Sequence, residues 1–255
     1  MRGLAVLAAL ALLVPCAVHA VETHTPLDMA RERVKTADYR VTGRLVHVEA
    51  GGARISYGVA LKAHWFGSEL RVLLEITSPA AARERILLTM HPEGHDSIEI
   101  AKPGAGAASL PFARWSDGIL GGDFSYEDFL EPQFFWPVQS LLREEKRGAR
   151  DCDVVKSTPG AADRTHYAEE ITWLDRTIGF PIYAEKTLKG SGAVRQFTYY
   201  GLRHDGGVWS ANQIEAAAKG KAGSTLLIIE RGSAQAHLTA KDFSPDALTH
   251  FNGGQ

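Results

Sequence analysis

From Tyr39 onward, apolar and polar residues alternate in short runs separated by turn residues. "YRVTGRLVHVEA" stops at Gly51-Gly52, "RISYGVALKAHWF" at Gly67-Ser68 and "ELRVLLEIT" at Ser78-Pro79. A period of two closed by short turn signals predicts antiparallel hairpins. In "LRVLLEIT", Leu70, Val72, Leu74 and Ile76 share one face, whereas Arg71, Leu73, Glu75 and Thr77 share the other. One face is therefore built for an apolar interior. The pattern resumes in "RILLTM" and "SIEIA". After the loop-like "STPGAADR" it returns in "THYAEEITWLD", "PIYAEKTLK", "AVRQFTYYGLR", "VWSANQIEAAA" and "STLLIIERG". These runs make roughly ten strands, enough for one large curved antiparallel sheet or barrel in a mainly β (α+β) chain.

Helical signal is confined to three places. Pro26 to Thr36 carries proline near its start and Leu27, Ala30 and Val34 on one side, as an amphipathic helix would. The tail "SPDALTHF" offers Ser244 as a cap and Pro245 at the first helical position. Between them, "DFSYEDFLEPQFFWPVQSLLREEKRG" reads as short helical pieces broken by Pro132 and Pro137. These pieces carry an apolar cluster of Phe134, Phe135, Trp136, Val138, Leu141 and Leu142.

The first residues change the picture of where such a domain resides. "MRGLAVLAALALLVPCAVHA" has Arg2, an apolar run from Leu4 to Val14 and small residues at Val18 and Ala20. This is the layout of a cleaved signal peptide over 1–20, cut after Ala20, leaving a single domain over 21–255. The run falls short of the about 20 apolar residues a bilayer span needs. Cys16 could mark a lipoprotein, but Pro15 before it fits such a signal poorly. Cleavage leaves Cys152 alone, so the exported chain has no internal disulfide. Without Arg2, 27 basic residues stand against 30 acidic ones, a net charge of −3. That balance gives no electrostatic case for nucleic acid.

Three stretches invite a chemical reading. In "GGDFSYEDF" the carboxylates of Asp123, Glu127 and Asp128 could form an acid/base pair. Adjacent helical positions do not face each other, however, and Ser125 with Asp128 resembles a capping box. "HPEGHD" gathers His91, Glu93, His95 and Asp96, but Pro92 and Gly94 exclude helical ligand spacing and leave a polar loop between strands. "PGAGAAS" lacks the third glycine and the βαβ setting of a dinucleotide loop. With neither a G-x-S-x-G elbow nor a P-loop lysine in the sequence, the expectation is a protein that is not an enzyme and holds neither metal nor cofactor.

Gly122, Asp123, Phe124, Ser125, Tyr126, Glu127 and Asp128 are followed by Trp173 and Asp175 ahead of Gly179 and Pro181. Thr225 in "GSTLLII" and the closing Phe243-Ser244-Pro245 with Leu248 come after them. In this order and spacing the chain resembles the outer-membrane lipoprotein-sorting family, the LolA/LolB-like periplasmic lipid carriers. The resemblance implies a strongly curved, unclosed β-barrel with a few helices covering its concave apolar face. It also implies a periplasmic monomer without cofactor that binds lipid or lipoprotein acyl chains. Its partners would be an inner-membrane transporter or an outer-membrane acceptor. On that reading the cavity lining is Leu70, Val72, Leu74, Ile76, Ile86, Leu88, Leu227 and Ile229, and the cover is Phe129, Phe134, Phe135 and Trp136. Phe124 and Trp173 serve core packing. The alternative is a periplasmic sensor or adaptor that takes a protein partner or membrane exporter in the same groove.

Overall fold

The structure, a computed structural model, describes residues 25–251. The expected signal peptide, its cleavage site and Cys16 lie outside them. The chain opens with α1 (Pro26–Lys35), capped by Thr25, whose hydroxyl accepts from the Asp28 N–H at 3.1 Å. Six strands follow: β1 (Asp38–Val48), β2 (Arg54–Trp65), β3 (Leu70–Ser78), β4 (Glu84–Met90), β5 (Ser97–Ala101) and β6 (Ala108–Ser109). After a long connection come β7 (Val138–Arg147), β8 (Arg150–Thr158), β9 (Tyr167–Asp175), β10 (Pro181–Leu188), β11 (Val194–Asp205), β12 (Val208–Ala218) and β13 (Ser224–Ser233). The short α2 (Pro245–Thr249) ends the described chain.

All 13 strands join one antiparallel sheet in the order β6-β5-β4-β3-β2-β1-β13-β12-β11-β10-β9-β8-β7. The first half walks outward from the centre to one edge, and the second half returns from the other edge. They meet where Leu45 of β1 opposes Leu227 of β13. The edges β6 and β7 are not paired with each other, so the sheet stays unclosed. The connection from β6 to β7 must therefore pass from one edge to the other across a face of the sheet.

Roughly ten strands were expected, and β6, β7 and β8 make the difference. The clearest correction is β7, a strand where the sequence predicts helix. As an edge strand it leaves Val138, Leu141 and Leu142 exposed, so burial imposes no alternation on it. The charged, leucine-bearing "QSLLREEKR" then mimics a solvated helix.

Two faces of the sheet are covered by different parts of the chain. The main apolar cluster joins inward residues of β1 to β5 with Ala30 and Val34 of α1 and with the β6–β7 connection. On the opposite face, Leu73, Leu87 and Ala101 pack against Leu238, Phe243 and Leu248. The C-terminal helix thus lies on the outer side of the sheet, away from the face that the main cluster fills.

Candidate functional site

Residues 110–137 span the inner face as a chain of short 3₁₀ turns at Phe112–Arg114, Ile119–Gly121, Tyr126–Phe129 and Pro132–Phe134. The turns are knotted to the sheet by the Gly-Gly-Asp motif. Thr225 of β13 accepts the Asp123 N–H at 2.9 Å and donates its hydroxyl to the Asp123 carboxylate at 2.9 Å. A Cβ at Gly122 would meet the Thr225 hydroxyl at 2.9 Å, so glycine lets the strand come this close. The expected capping box is present, with the Ser125 N–H donating to Asp128 at 2.8 Å.

All eight nominated lining residues lie in the main cluster. Leu74 opposes Ile86 and Val72 opposes Leu88 across β3 and β4, and these four are essentially inaccessible. Phe129, Phe134 and Phe135 of the connection join the same cluster, Phe135 stacking on Trp65 at 6.0 Å between centroids. Phe124 contributes too, packing against Phe197 at 5.9 Å. Trp173 instead packs on the other face, with Tyr183, Val154 and the buried Cys152. Asp175 ties the β9–β10 turn, accepting from Thr177 N–H at 2.8 Å and from Arg150 at 2.5 Å.

Towards β9, β10 and β11 the inner face carries charge, which the sequence reading missed. The side chain of Asp128 is fully buried between Lys186 at 3.2 Å and Arg195 at 3.5 Å. Tyr167 donates its hydroxyl to Asp128 at 2.7 Å and accepts from Arg195 at 2.9 Å. Glu170, directly opposite Lys186 in the β9–β10 register, approaches its ammonium at 3.6 Å. Burial opposes the Asp128 charge, but Lys186, Arg195 and the Ser125 hydrogen bonds outweigh it and hold the carboxyl below its ordinary range. Burial likewise opposes the Lys186 charge, yet Glu170 and Asp128 raise that group well above the lysine range. Glu170, by contrast, is pushed up, chiefly by burial.

Beside this network lies an enclosed cavity of about 10 Å³ lined by Glu127, Gln133, Trp136, Tyr167, Glu170 and Lys186, among others. Such a volume holds about one water molecule. Around it, Gln133 Oε1, Trp136 Nε1 and Glu170 Oε2 have no hydrogen-bond partner in the protein. Glu127 accepts from the Thr165 hydroxyl at 2.9 Å and the His166 N–H at 3.1 Å. Its pKa is raised, first by burial and then by Asp128. The carboxylates of the motif are thus structural anchors of the connection as well as helix-type caps. The available signal was the cross-strand pairing of Glu170 with Lys186, two opposite charges on the inward phase of neighbouring strands.

Residues 69–250 match a family model described as "Uncharacterized protein". No curated protein matches the chain. A putative outer membrane lipoprotein-sorting protein domain from Vibrio parahaemolyticus is 21% identical, with a TM-score of 0.77 over 87% of this chain and 97% of that one. A DUF1329 family protein from Desulfovibrio piger is 18% identical, with a TM-score of 0.76 over 88% and 97%. A LolA superfamily protein from Nitrosomonas europaea is also 18% identical, with a TM-score of 0.67 over 88% and 99%.

Proposed function

We propose that this chain, which belongs to the uncharacterised family matched over residues 69–250 and has the fold of the LolA superfamily protein, is a periplasmic lipid-binding carrier. The acyl chain of a lipid or lipoprotein takes the place of the β6–β7 connection against the inner face, and no catalytic step is involved. One observation carries the reading. The β6–β7 connection, built of short 3₁₀ turns, lies beside α1 across the apolar inner face of an unclosed sheet, in the place an acyl chain would take.

Among the described residues no helix is long and apolar enough to cross a membrane.

Phe134→Ala separates a movable cover from a filled core. It removes a buried ring at a cost of about 3–5 kcal/mol in stability. With a movable cover, fluorescence titration with a polyene fatty acid shows faster and tighter uptake by the variant than by wild type. Loss of stability with no uptake by either protein refutes the carrier reading.

A second reading, an adaptor for a membrane exporter, is favoured by the free edge β7. Its exposed Val138 and Leu141 lie on a strand paired only with β8, whose free edge a partner chain could extend.

A further inference from the structure

The charge balance of the inner face selects the ligand's headgroup. Two cations, Lys186 and Arg195, project from β10 and β11, and on the sheet only Glu170 faces them with negative charge. Their remaining partner, Asp128, belongs to the connection, as does Ser116, whose carbonyl accepts from Arg195 at 2.7 Å. When the connection lifts, Asp128 and Ser116 leave together. The sheet then keeps two buried cations against one carboxylate, and a buried charge stripped of its partner is strongly disfavoured.

We infer that Lys186, Arg195 and the Tyr167 hydroxyl form a receptor for an anionic headgroup, so that the carrier takes acyl chains ending in a carboxylate or a phosphate. In the closed protein the Asp128 carboxylate stands in for that headgroup. A neutral amphiphile fills the apolar part equally well but leaves both cations unanswered. An anionic one restores the balance through the hydrogen bonds that Asp128 makes now, from Tyr167 at 2.7 Å and Lys186 at 3.2 Å. The inference rests on the carrier reading and narrows its substrate class.

The test is calorimetric titration of the mature protein with three single-chain probes. These are palmitate, palmitoyl lysophosphatidylglycerol with its single phosphodiester charge, and neutral monopalmitoylglycerol. At least one anionic probe binds about tenfold or more tighter than the neutral one, since one unpaired buried charge is at stake. Preference for palmitate alone identifies a carboxylate receptor, and preference for the lysophospholipid alone a phosphate receptor. Lys186→Met erases the preference. Asp128→Asn, which removes the internal competitor, tightens the anionic probe by about tenfold and widens its lead over monopalmitoylglycerol. Equal affinity for all three probes overturns the headgroup inference and leaves the carrier standing. Unchanged anion affinity in Asp128→Asn also overturns the inference. Binding of none of the probes overturns the carrier reading and the receptor with it.

Discussion

At the scale of single residues, the most informative position is Asp128, because it does two things that differ in strength. As the acid of a capping box it contributes what any such cap does, about 1 kcal/mol. As the shared anion between Lys186 and Arg195 it compensates buried charge, and removing such a partner costs about 3–5 kcal/mol. Urea unfolding of Ser125→Ala and Asp128→Ala therefore separates the roles, the second variant losing several times more stability than the first. Equal losses would reduce Asp128 to a cap. Only the cap was legible in "SYED", since the cations lie 58 and 67 residues further along the chain.

Asp96, part of the "HPEGHD" loop, gives a pH signature. Burial, outweighing the hydrogen bond from the His91 N–H, pushes its pKa from 3.8 up to about 6. The folded-state value lies above the unfolded one, so between these values the folded chain holds a proton that the unfolded chain has released. Stability thus falls as pH rises from about 4 to about 6 and stays lower above that window. Asp96→Asn keeps an acceptor for His91 and removes the buried charge. It is expected to be about 3 kcal/mol more stable than wild type at pH 8, the difference vanishing below pH 4. Denaturant midpoints across pH check this, and a constant difference would contradict it.

At the scale of elements, the strands whose inward phase is an unbroken run of apolar residues were legible, even where the other face is covered as well. β3 reads cleanly because Leu70, Val72, Leu74 and Ile76 all enter one cluster. β8 hides because neither of its phases is an apolar run, its few apolar residues being split between Val155 in the main cluster and Cys152 and Val154 in the outer one. The turn between β9 and β10 shows how a local motif serves long-range packing. Gly179 has φ of +62°, and a Cβ there would lie 2.3 Å from Met29 Cβ and 2.9 Å from the Pro26 carbonyl. Glycine is thus what allows α1 to seat on this turn. Gly179→Ala is expected to lose about 2 kcal/mol or more, and to release α1 first. Limited proteolysis within residues 26–35 reports that release, and an intact α1 in a fully stable variant would contradict it.

At the scale of the whole molecule, the topology explains why a cover exists at all. The chain leaves the centre of the sheet, turns back at one edge and must reach the other before it can return to β1. The connection that makes this crossing is the segment with the family-like motif, and it lies over the face where the apolar nominees and the buried cations both sit. The sequence carried the strands, the one-sided burial and the resemblance. It could not carry the position of the cover over the charges, because that depends on strand pairings between distant residues. Trp173, expected to serve core packing, packs in the cluster on the other face of the sheet, against Tyr183 across the β9–β10 hairpin.

The central claim is that the inner face exchanges its own cover for an acyl chain. Native mass spectrometry of the protein over residues 21–255, purified without detergent and compared with its denatured mass, tests this most directly. The account predicts a releasable adduct of acyl-lipid mass, regained when palmitate is added to stripped protein. A clean apo mass that takes up no palmitate would contradict it and make the inner face a permanently filled core.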